Sequence, residues 1–76
     1  MGLTEILGLL SSARQRVANG NRYVVAQHMI MDDLERDGFD TIDAELFLDY
    51  LEEAQAAYIA YRDRLERKLA RLVTAD

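Results

Sequence analysis

The one histidine of the chain, His28, stands four residues before Asp32 and seven before Glu35, so a helix through this stretch would place an imidazole and two carboxylates on one face. Three such groups could ligate a metal ion. Di-metal bundles, however, repeat a Glu-x-x-His pair on facing helices, and neither that pair nor His-x-x-x-His occurs here. The expected role of His28 is instead a pairing with Asp32 across one helical turn. The only serines, Ser11 and Ser12, would lie roughly 25 Å from His28 along a continuous helix, too far for a nucleophile and its base. Asp32-Asp33 and Glu52-Glu53 are sequence neighbours, which point to different sides of a helix and cannot share a proton as a catalytic dyad does. The glycines at 2, 8, 20 and 38 are too scattered to cradle a phosphate. Tyr23, Tyr50, Tyr58 and Tyr61 could stack on bases, but Tyr58 and Tyr61 fall on an apolar repeat and read as core. The sequence nominates no catalytic residue, no metal ligand and no cofactor.

The elements that would carry these residues are helical. Leu34-Glu35-Arg36-Asp37-Gly38-Phe39-Asp40-Thr41 reads as one helix ending and another beginning. With Gly38 in the left-handed position after the cap, Phe39 and Leu34 become the apolar pair of a Schellman ending. Asp40 or Thr41 then caps the second helix, with Asp43 and Glu45 in its favourable first turn. From Thr41 onward Ala44, Leu51, Tyr58, Leu65 and Leu72 recur every seven residues, and a second column holds Phe47, Ala54 and Tyr61 before breaking at Lys68. Upstream, Leu3, Leu10, Val17, Val24 and Met31 step by sevens, accompanied by Ile6, Ala13, Gly20, Gln27 and Leu34. The phase survives Asn19-Gly20-Asn21, although these residues together cost roughly 2 kcal/mol relative to alanine inside a helix. A break would have no reason to preserve the phase, so a continuous or merely kinked arm over 3–37 is favoured over two helices with a turn at Gly20. Arms over 3–37 and 41–73 match in length, roughly 50 Å each, around a turn at 38–40. The expected fold is an all-α antiparallel helical hairpin, one domain over 1–76. Folding it about Phe39 sets Gly20 opposite Tyr58, where glycine would leave room for the ring.

A chain of 76 residues is one small domain, and its 50% apolar and 30% charged residues are a folding composition, not that of a disordered chain. Without cysteine it has no disulfide to brace a thin core, so self-association is expected. Absence of cysteine also fits a reducing compartment, and a cytoplasmic location is expected. The first ten residues lack the features of a signal peptide, and no apolar run is long enough for a membrane span.

Charge is polarised. Residues 32–53 hold ten acidic groups, among them Asp32, Asp33, Asp37, Asp40, Asp43, Glu45, Asp49, Glu52 and Glu53, and one basic group, Arg36. Arg62, Arg64, Arg67, Lys68 and Arg71, with Arg14 and Arg16 alongside, make the opposite end of the hairpin basic. Leu9, Tyr23 and Ile30 form a column beside the main stripe of the first arm, and Tyr50 does the same on the second. This surplus is wider than one helix contact can bury. It implies a further pair of helices. The expected assembly is an antiparallel homodimer forming a four-helix bundle, with Leu9, Tyr23, Ile30 and Tyr50 in its seam, Leu48 and Leu69 at the edges, and acidic ends against basic ones.

The segments LERDGFDTIDA over 34–44 and EEAQAAYIAYRDRL over 52–65 resemble those of a group of short helical-hairpin proteins of alphaproteobacteria, uncharacterised and without an established activity. That resemblance implies the fold and transfers no chemistry. In shape alone the hairpin is similar to the repressor of primer of plasmids, which dimerises into a four-helix bundle and binds RNA. The expected function is a small non-catalytic interaction module, a regulator acting by protein–protein binding on itself and on another protein. The alternative is a nucleic-acid role, either RNA contact by the basic arm or an acidic phage-type inhibitor that mimics nucleic acid. A net charge of -5 weighs against direct contact with nucleic acid.

Overall fold

A computed structural model describes residues 2–74; Met1, Ala75 and Asp76 of the expected domain lie outside the described residues. Helix α1 runs from Leu3 to Arg36 and α2 from Ile42 to Thr74, packed antiparallel in a hairpin 61 Å long and 15 × 14 Å in section. Among the described residues there is no strand.

α1 passes unbroken through Asn19-Gly20-Asn21. Packing offsets the low helix propensity there. A β-carbon at position 20 would come within 1.9 Å of Gln55 Oε1 and 2.8 Å of Gln55 Cδ, so glycine admits the Gln55 side chain. This corrects the expected opposition of Gly20 to the Tyr58 ring. Gln55 takes that space because its Nε2 donates to the Val17 carbonyl at 2.7 Å, one turn before Gly20.

Both expected columns of α1 face α2 except at Leu3, the first member of one of them, which is exposed. Ile6, Leu10, Ala13 and Gln27 are buried, while Val17, Gly20, Val24, Met31 and Leu34 are half-buried. The first column of α2 holds through Ala44, Leu51, Tyr58 and Leu65, but its last member, Leu72, is exposed. Its second column is different. Leu48, Gln55, Arg62 and Leu69 turn inward, and of the expected column Ala54 is half-buried while Phe47 and Tyr61 stay exposed. Leu48 and Leu69, expected at the edges of a dimer seam, therefore belong to the hairpin's own core, and Leu69 packs on the cluster of Leu10, Ala13 and Leu65. Two polar residues occupy this column: Gln55 donates Nε2 to the Val17 carbonyl while its Oε1 is buried without a partner among the described residues, and Arg62 bonds the Asp63 carboxylate at 2.9 Å. Gln27 repeats the device from the other side, its Nε2 donating to the Ala44 carbonyl at 3.1 Å. Sliding one helix past the other by a turn would break both glutamine bonds, so they pin the register.

The turn is a Schellman ending. Gly38 has φ of 79°, its N–H donates to the Glu35 carbonyl at 3.2 Å, and the Phe39 N–H donates to the Leu34 carbonyl at 2.9 Å. The Phe39 ring does not close over the turn but remains 65% exposed. Thr41 contributes its carbonyl to the first bond of α2, from the Glu45 N–H, and Asp40 accepts from the Ile42 N–H through Oδ1 at 2.9 Å. The two candidate caps thus divide the work.

Candidate interaction surface

Two helices side by side form a layer with two broad faces, and the sequence makes those faces unlike. On one, polar side chains cross the hairpin: Arg14 bonds Glu66 at 3.1 Å, and His28 Nε2 lies 3.5 Å from Glu52 Oε1. The expected pairing of His28 with Asp32 is replaced by this contact from the other arm, because the antiparallel register brings Glu52 level with it. Both groups are about half exposed, so the pair adds little to stability. Among the described residues no three His, Asp or Glu side chains are grouped to hold a metal ion.

The other face is apolar and open. A groove of about 300 Å³ runs along its middle, floored by Gly20, Leu51, Gln55 and Tyr58 and walled by Tyr23 of α1 and Tyr50 of α2. Arg16 spans one end, its guanidinium 5.5 Å from the centre of the Tyr58 ring, a cation–π geometry. The Phe47 ring stacks on Tyr50 with centroids 6.1 Å apart. Leu9, Tyr23 and Ile30 share a seven-residue column, and so do Phe47, Ala54 and Tyr61, which places all of them on this side. Tyr23 is 62% exposed, Tyr50 64% and Ile30 50%, large side chains left open to solvent. Four of the six residues expected at a seam, Leu9, Tyr23, Ile30 and Tyr50, are thus brought together. Sequence reasoning missed Phe47 and Tyr61 as members of the face, because their column competed with the true core column. It missed Gln55 altogether, which has no apolar signal.

Charge follows the long axis. Asp32, Asp37, Asp40, Asp43, Glu45, Asp49 and Glu53 cluster toward the turn with no ion pair among the described residues, while Asp33 holds Arg36 and Glu52 meets His28. At the open end Arg64, Arg67, Lys68 and Arg71 make no ion pair among the described residues. Arg14, Arg16 and Arg62, expected on the same basic surface, are engaged by Glu66, Tyr58 and Asp63.

The class these features define is a two-helix layer with one paired face, one open apolar face, and opposite charge at its two ends. No family model, curated protein or solved structure matches the chain. No helix is long and apolar enough to cross a membrane among the described residues.

Proposed function

We propose that the protein is a non-catalytic helical interaction module, acting by docking partner helices on its open face. The observation that carries the reading is the contrast between the faces: cross-hairpin pairs on one side, solvent-exposed Tyr23, Ile30, Phe47 and Tyr50 on the other. Solvent-facing aromatics on both walls of a groove resemble the anchor positions of helical interfaces, where tyrosine contributes large contact area at low entropic cost. Its regulatory action follows from binding, in a reducing compartment such as the cytoplasm, which its cysteine-free sequence suits.

The test compares tagged wild type with a Tyr23→Glu/Tyr50→Glu variant in extract of the host. Proteins retained by the wild type are expected to be lost from the variant, with helicity by circular dichroism unchanged. Val25→Glu is the control, since Val25 lies about 200° around α1 from Tyr23 and is itself exposed. Equal retention by wild type and double variant would overturn the open face as the working surface.

A further inference from the structure

The open face of α2 carries a second heptad stripe, Phe47, Tyr50, Ala54, Ala57 and Tyr61, continuing into Arg64 and Lys68 by alternating steps of three and four. This stripe is complementary to its own reverse. With Ala57 on a two-fold axis, Ala57 faces itself, Ala54 meets Tyr61 of the other copy, Tyr50 meets Arg64, and Asp43 meets Arg71. Small faces large, ring faces cation, and acid faces base. The open side of α1 alternates in the same way, with Ser12, Asn19 and Ala26 set between Leu9, Tyr23 and Ile30.

We infer that the occupant of the open face is a second copy of this chain, laid antiparallel so that α2 packs on α2 about Ala57 and α1 on α1, in a four-helix bundle. The inference rests on the open face being a docking surface and names what docks. Charge selects the orientation. Parallel hairpins would set the unpaired carboxylates around Asp37, Asp40 and Asp43 against the same groups of the second copy. Turning one hairpin end for end sets Asp43 opposite Arg71, with Asp40 about one helical turn from that pair, and Arg71 makes no ion pair among the described residues. Extent agrees as well. A face 61 Å long and 15 Å wide has a footprint of roughly 900 Å², against about 800 Å² per partner in a standard stable interface. A two-fold axis satisfies both copies at once and leaves no open face to propagate.

Because the chain has no cysteine, single-cysteine variants report without background. Full-length Ala57→Cys is expected to form a disulfide-linked dimer rapidly under mild oxidation, and Phe39→Cys at the turn tip is expected to form almost none. Ala57→Glu, which sets two carboxylates together on the axis, is expected to weaken association by about tenfold or more while leaving helicity intact. Efficient Phe39→Cys bridging with none at Ala57→Cys would show parallel hairpins and overturn the antiparallel copy. Bridging at neither position, with the mass of one chain in solution, would overturn the second copy altogether. A chain that stays monomeric yet loses host partners in the Tyr23→Glu/Tyr50→Glu comparison fails this inference alone. One that stays monomeric and loses none fails the docking reading as well.

Discussion

Gly20 and Gln55 are coupled through the space a β-carbon would fill. Alanine at position 20 gains up to about 1 kcal/mol of helix propensity but must push Gln55 off the Val17 carbonyl, a hydrogen bond of about 1 kcal/mol. The two effects nearly cancel in the wild type, so Gly20→Ala is expected to leave stability within about 1 kcal/mol. With Gln55→Ala the obstruction is gone, and Gly20→Ala is then expected to stabilise by about 1 kcal/mol. Urea denaturation of the four proteins in this cycle checks the coupling. Equal effects of Gly20→Ala in both backgrounds would show that Gln55 does not determine the glycine. The coupling was not legible in the sequence. Asn19-Gly20-Asn21 reads as a helix stop by residue type, and only the unbroken heptad phase argues otherwise.

At the scale of the elements, the turn was the most legible part, because each of its residues has a conformational duty that its type announces. Gly38 alone can hold φ of 79° without penalty, and Asp40 can accept the Ile42 amide. Gly38→Ala is expected to lower stability by about 1 to 2 kcal/mol, and Asp40→Ala by about 1 kcal/mol, in thermal or chemical denaturation. Gly38→Asn is expected to cost less than Gly38→Ala, since asparagine tolerates the left-handed region. The two columns of α1 were equally legible, for they are its most regular apolar repeat. On α2 apolarity favours Phe47, Ala54 and Tyr61 over Leu48, Gln55, Arg62 and Leu69, because the true column contains glutamine and arginine. The more apolar column lost the core because it belongs to the open face. Two competing stripes on one helix are what a second contact, beyond the hairpin, would require.

For the whole molecule, size is the governing constraint. A layer 14 to 15 Å thick leaves few side chains fully enclosed, and the largest of them are Ile6 and Leu10. Both lie toward the open end, so the middle of the hairpin depends on half-buried Val17, Val24, Leu51 and Tyr58 and on the two glutamine bonds. A second layer over the open face would bury Tyr23, Ile30, Phe47 and Tyr50 and complete that middle. Sedimentation equilibrium of the unmodified chain through the micromolar range tests this most directly. The expected result is a single species of twice the 8.7 kDa chain mass, which Ala57→Glu shifts toward one chain; a wild-type mass of 8.7 kDa at about 100 μM would contradict it.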